Sequence, residues 1–228
     1  MNVEMKKFTE PIFDRLADFG AELAQHPLLT AARDGEVRRS VLLDFAFHQF
    51  SDSILWIPML AQMKEKAVRS LRLRRAIEDN IAHEAGLGGT SHVTLAVALM
   101  RSLGVSSTDG FPSGTFDRSA SLWLSDDFDG FAEPEIAGFL LTAETLVPQM
   151  FAALQPAFER LGCDDRYFTE HVAVDTDEHA TWMAEAVADV IDVYGPTCIP
   201  DIHAGMADAW AETLEVPDEL WRHQCASL

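Results

Sequence analysis

The nine residues His171-Val172-Ala173-Val174-Asp175-Thr176-Asp177-Glu178-His179 decide how this chain is read. Residues four apart share one helix face, a turn above each other. At about 100° of rotation per residue, His171, Asp175 and His179 lie near 0°, 40° and 80°, and Glu178 near −20°. These side chains form a narrow stripe of metal-binding groups inside an apolar, helix-forming stretch. A solvated face explains acids such as Asp177, but not two imidazoles in register with Asp175. One helix offers ligands from one side only, so a buried site here needs other helices to close it. The stripe therefore predicts a helical bundle with its chemistry inside.

The rest of the chain agrees with a bundle. Phe8, Ile12, Leu16, Phe19 and Leu23 recur at helical spacing and end near His26-Pro27. A second helix, 36–66, follows Gly35 and is apolar on most faces, with Pro58 as a candidate kink. Ser70 can cap a third helix running to Glu84, and Thr90-Ser91 a fourth running to Leu103. Residues 104–115 read as a loop, 119–124 as a short helix and 126–130 as an acidic turn. A long helix over 133–161 should bend near Pro148 and Pro156. Asp164 or Asp165 caps the helix that carries the stripe, which ends near Gly195-Pro196. Two shorter helices, 201–215 and 217–226, complete the chain, and strand-like alternation is nowhere convincing.

Composition narrows the function. The 228 residues carry 37 acids against 17 Lys and Arg, a net charge of −20. Nucleic acid and anionic membrane surfaces both need a basic footprint, so neither is an expected partner. Cys163, Cys198 and Cys225 are scattered and odd in number, which argues against a disulfide framework and for a reducing compartment. The stretch Met1 to Phe8 lacks an apolar signal core, so a cytoplasmic location is expected.

Three further residues suit the stripe. Glu84 closes one helix and His92 opens the next, and the bend with Gly86, Gly88 and Gly89 can bring them to one point. Glu144 is a lone acid flanked by Leu140, Leu141, Leu146 and Val147, where an unpaired carboxylate is very unfavourable. With His171, Asp175 and His179 they make three carboxylates and three imidazoles. Such a set suits iron or manganese, and the absence of thiolates argues against structural zinc. Two metals bridged by carboxylate within a bundle is a known solution. His48, His83, His203 and His223 receive no role, and His83 should point away from Glu84 by about 100°.

The order Glu84, then His92 across a glycine-containing bend, then Glu144, then the His171–Asp175 helix resembles the heme-oxygenase-like diiron oxidases. The resemblance covers most of the chain, including His26-Pro27 before Gly35 and Tyr167-Phe168 before His171. It implies an all-α, single-domain heme-oxygenase-like bundle of about seven helices over residues 1–228. It implies Glu84, His92, Glu144, His171 and Asp175 as iron ligands. The family places its last histidine three residues after the aspartate, where this chain has Glu178, and His179 lies one further on. The family's His-Ala pair favours His179, with Glu178 as the alternative. A π-bulge between Asp175 and His179 would reconcile that choice with helix geometry.

The same resemblance implies two Fe(II) ions as cofactors and O2 as cosubstrate. The expected reaction is N-oxygenation, desaturation or oxidative C–C cleavage of a small molecule in specialised metabolism. An amine or amino-acid-like substrate, an external electron donor and a homodimer are further expectations, with no catalytic residue beyond the ligands. The alternative is a metal-free enzyme like thiaminase II or PQQ synthase, or a binding protein, of the same fold. A thiaminase needs a nucleophilic cysteine in the central pocket, and the second to fourth helices contain none. A heme held by His26 would leave the other six residues unexplained.

Overall fold

Capping chemistry fixes where several helices start. The computed structural model describes residues 3–105, 130–174 and 179–226. Helix α1 (Val3–Leu23) buries Ile12, Leu16, Phe19 and Leu23. The His26-Pro27 pair that ends it also starts a helix the sequence did not announce, α2 (Pro27–Asp34). His26 Nδ1 accepts from the Leu28 N–H at 3.2 Å, and Pro27 occupies the first turn, where its missing donor costs nothing. Gly35, with φ of 80°, closes α2 in the left-handed conformation. His26 Nε2 lies 3.1 Å from Asp218 Oδ1, so both ring nitrogens are engaged structurally. That leaves the heme-ligand reading without support.

Helices α3 (Arg39–Lys66), α4 (Leu71–Glu84) and α5 (His92–Ser102) follow as the sequence indicates. Ser70 and Ser91 each accept from the N–H three residues on, at 3.1 and 3.4 Å. Beyond a gap in the description come α6 (Glu133–Arg160), α7 (Arg166–Val174) and α8 (Ala180–Tyr194). A short 3-10 turn (Pro196–Cys198) leads into α9 (Ile199–Cys225). The expected short helix at 119–124 and turn at 126–130 lie outside the described residues, as does most of the expected loop at 104–115.

Among the described residues there are nine α-helices and no strand, where about seven helices were expected. Besides the unannounced α2, the last two expected helices are one. Pro217 sits inside α9 without ending it, with Thr213 and Leu220 buried around it. An interior proline costs about 3 kcal/mol, and the packed face of α9 offsets it. Pro58, Pro148 and Pro156 are likewise internal to α3 and α6.

Helix α6 is the centre of the bundle. Ile136, Leu140, Leu146 and Phe158 are fully buried, each burial contributing about 1.5–3 kcal/mol. It is also the one described helix long and apolar enough to cross a membrane, and its burial among other helices accounts for that composition. Helix α9 lies along α6 so closely that two glycines are required. A Cβ on Gly138 would sit 2.0 Å from the Ile202 carbonyl oxygen, and one on Gly205 would sit 1.9 Å from that of Glu135.

At the start of α6, buried Glu133 accepts from the backbone N–H groups of Arg69 and Ser70 at 3.0 and 2.6 Å. It also accepts from Tyr194 Oη at 2.8 Å. This one carboxylate ties the α3–α4 turn and the end of α8 to α6, which sets where the far end of α4 places Glu84. Helix α7 is located by an aromatic cluster: the Phe168 ring meets Phe158 at 4.7 Å, tilted, and lies parallel to Phe45 of α3 at 6.2 Å.

Candidate metal centre

Four of the expected ligands and the last histidine arrive at one buried place from five helix ends or faces. Glu84 is the final residue of α4 and His92 the first of α5, across a bend with positive-φ glycines at Gly86 and Gly88. A Cβ on Gly86 would lie 2.5 Å from the Ser91 backbone nitrogen, so the tight return needs glycine there. As a result Glu84 Oε2 lies 2.6 Å from His92 Nδ1. His171 on α7 joins them: donor atoms of Glu84, His92 and His171 all fall within 4.8 Å of one another, and all three residues are buried. The His92 and His171 rings are 4.1 Å apart.

Glu144, midway along α6, is the second acid of the cluster. Its Oε2 lies 3.1 Å from His179 Nδ1, and its Oε1 accepts from Asn80 Nδ2 at 2.5 Å. The paired acid that so apolar a stretch requires is therefore present, and fully buried His179 is one partner. The backbone at His179 is π-helical, immediately before α8 begins. Asp175 and Glu178 lie outside the described residues.

His83 joins the cluster, contrary to the expectation that it points away. Its ring stands 5.0 Å from those of both His92 and His179, edge to face, and thus bridges the two halves of the site. Its Nε2 lies 3.5 Å from Glu170 Oε1, and its buried Nδ1 has no hydrogen-bond partner among the described residues. Burial first, then the neighbouring His92 and His179, hold its pKa below the ordinary imidazole value. Asn80 was also missed as a participant. It sits one turn before Glu84 on the same face of α4, a spacing that could have revealed it.

The electrostatics suit a metal. Burial, and then the charge of His92, push the His171 pKa well below the usual imidazole range, so the ring is neutral at neutral pH. His171 Nδ1 donates to the Tyr167 backbone carbonyl at 2.7 Å, which fixes the tautomer and leaves Nε2 with its lone pair. A neutral, oriented imidazole is what a metal ligand must be. The donor set holds oxygen and imidazole nitrogen with no thiolate, and Asn80 Oδ1 is a further buried acceptor with no donor among the described residues. The residues present fit iron.

Glu84, Glu144 and His171 open into a cavity of about 130 Å³. Much of its lining is apolar, from Trp56, Phe139, Val147, Met150, Phe151 and Val216, and polar groups from α3 and α9 complete it. Tyr167 Oη donates to Gln49 Oε1 at 3.2 Å and lies 3.3 Å from Ser53 Oγ, tying α3 to the turn that carries His171. No cysteine is among the described residues lining this cavity. Burial raises the pKa of both Cys163 and Cys198, the reverse of what an activated thiol needs.

Comparison with known proteins bears on the fold and on the family. The sequence profile of a family described as iron-containing redox enzymes matches residues 39–212. Among solved structures, a CADD-like protein of unknown function from Nostoc punctiforme is similar with a TM-score of 0.69 at 18% identity, over 98% of this chain and 99% of that one. A second structure of that protein gives 0.68 at 15% identity, over 99% and 98%. At such identity the likeness speaks for the fold, and that fold is the heme-oxygenase-like bundle. No curated protein matches the chain.

Proposed function

Because the chain belongs to the family of iron-containing redox enzymes, we propose that it is an O2-dependent, non-heme diiron oxidoreductase acting on a small molecule. The observation that carries this reading is the convergence of Glu84, His92 and His171 within 4.8 Å beside a cavity, with Glu144 and His179 adjoining them. Glu84, His92, Glu144, His171 and His179 would hold two Fe(II) ions, with Asp175 supplied by the family pattern as the sixth ligand. Fe(II), when bound, supplies the electrons for reducing O2.

The protein's own part is positional. Tyr167 holds His171 by its backbone carbonyl, so that Nε2 faces the site without reorganisation. Asn80 orients Glu144 by donating to one of its oxygens. Three carboxylates, Glu84, Glu144 and Asp175, would largely balance two divalent charges in a buried place. Phe151, whose ring lies 4.9 Å from that of His171, and the apolar cavity wall keep bulk water away from the reacting centre.

The substrate is an amine or amino-acid-like small molecule, and the reaction one of N-oxygenation, desaturation or oxidative C–C cleavage. The enzyme works in the cytoplasm as a homodimer, with an external electron donor where the outcome requires one. Anaerobic titration with Fe(II) and elemental analysis test the centre. Close to two irons per chain are expected. Saturation at one iron or none under excess Fe(II) would sink the dinuclear reading, and none at all would leave a metal-free relative of the fold.

A further inference from the structure

The cavity beside the metal ligands has a second polar wall that iron binding does not use. Gln49, Asp52, Ser53 and Trp56 present it from α3, and Ala209, Glu212, Thr213 and Val216 from α9. Each set follows the i, i+3, i+4, i+7 spacing of one helix face. Most polar groups there are engaged. Ser53 Oγ donates to the Gln49 carbonyl at 2.7 Å, Thr213 Oγ1 donates to the Ala209 carbonyl at 2.8 Å, and Gln49 Nε2 approaches Asp52 Oδ2 at 3.5 Å. Glu212 is the exception. Its Oε2 is buried, with no hydrogen-bond donor among the described residues.

A carboxylate oxygen withdrawn from water without a donor is costly, and an entering molecule can supply the donor. The charge of the lining says which kind. Asp52, Glu84, Glu144 and Glu212 are all acids, and the described lining contains no lysine or arginine. An entering carboxylate finds no counter-charge, and an alcohol brings a donor but no positive charge. A cation bearing N–H donors on an apolar stem satisfies both the polar and the apolar parts of the wall. Resting on the diiron reading above, we propose that Glu212 is a specificity-determining residue that receives the ammonium group of an amine substrate, with Asp52 and the face of Trp56 beside it. The stem then lies among Val147, Met150 and Val216. Burial, and then Asp208, Glu215 and Asp52, push the Glu212 carboxyl up to about 8. The ammonium is the counter-charge those surroundings withhold, and the indole face adds a cation–π attraction.

Calorimetric titration of the full chain, metal-free and Fe(II)-loaded, with n-butylamine, n-butanol and butyrate tests this. The three probes share a stem and differ in charge. The amine should bind about ten-fold or more tightly than the alcohol, with butyrate weakest. Glu212→Gln should erase the amine preference, and Glu212→Asp should keep it in part. Equal affinity for amine and alcohol in the wild type, or an undiminished preference in Glu212→Gln, overturns the proposal. Iron content measured on the same preparations separates the two ideas. A full iron complement without amine preference removes the role of Glu212 alone. Amine preference in a chain that binds no iron removes the diiron reading and leaves Glu212 as a cation-binding residue.

Discussion

Replacing Glu212 by Gln should stabilise the ligand-free protein, and increasingly so as pH rises. The carboxyl moves from about 4.5 in the unfolded chain to about 8 in the folded one, mainly through burial and then through Asp208, Glu215 and Asp52. Between those values the folded protein keeps a proton that the unfolded chain has released. Stability from this group is therefore fully present below about pH 4.5 and is lost as pH climbs towards about 8. Each pH unit in the window costs about 1.4 kcal/mol, so the whole window costs at most about 5 kcal/mol. A domain's net stability is about 5–15 kcal/mol, so the effect is large. Gln keeps the shape of the side chain and removes the titration, and other groups titrate alike in both proteins and cancel. Urea unfolding of metal-free wild type and Glu212→Gln, from about pH 5 to about pH 9, reads the difference directly. The curves should nearly meet at the acid end and separate by several kcal/mol at the alkaline end. Parallel curves would refute the account of Glu212 as a buried acid without a counter-charge.

Three other outcomes follow from the same geometry. His171→Ala should lose iron while keeping its helicity, as checked by elemental analysis and circular dichroism, because the ring sits in the site and its one polar tie among the described residues is to the Tyr167 carbonyl. On the long helix, His179→Ala should lose one iron and Glu178→Ala should keep both, since His179 pairs with Glu144 inside the cluster; the opposite result on elemental analysis would make Glu178 the ligand. Gly205→Ala should destabilise the fold by about 3 kcal/mol or more in urea unfolding, because its Cβ would meet the Glu135 carbonyl at 1.9 Å, and backbone, unlike a side chain, has little room to give.

What the sequence revealed depended on how local the cause was. The Ser70 and Ser91 caps were legible because a hydroxyl and an N–H three residues on need no partner from elsewhere. The pairing of Glu84 with His92 was legible for a related reason, since the glycine bend between them forces their approach. His26-Pro27 was read only as an ending, because breaker residues mark both ends of helices and α2 has just eight residues to show periodicity. Pro217 was read as a boundary because the local cost of an interior proline is plain, whereas the burial along α6 that offsets it belongs to the tertiary structure.

The residues of the site divide in the same way. Helix rotation places His83 away from Glu84, but rotation within α4 says nothing about where α5 and α8 bring His92 and His179. The ring lies between those two histidines, 5.0 Å from each, a position that only packing creates. Glu212 is a different case, since its signal was present in the sequence. Ala209, Thr213 and Val216 follow the spacing of one helix face, and Glu212 is the charge that falls among them. Ending the helix at Glu215 cut the stripe short, and Glu212 received no role. With Pro217 accommodated inside α9, the stripe continues to buried Leu220 and the acid faces inward. The mistaken boundary thus hid the one carboxylate on the described cavity wall that has neither a metal-ligand partner nor a hydrogen-bond donor among the described residues. A lone acid on an apolar helix face called for a partner at Glu144, where the structure supplies Asn80 and His179. The same reasoning applied to Glu212 calls for one from outside the protein.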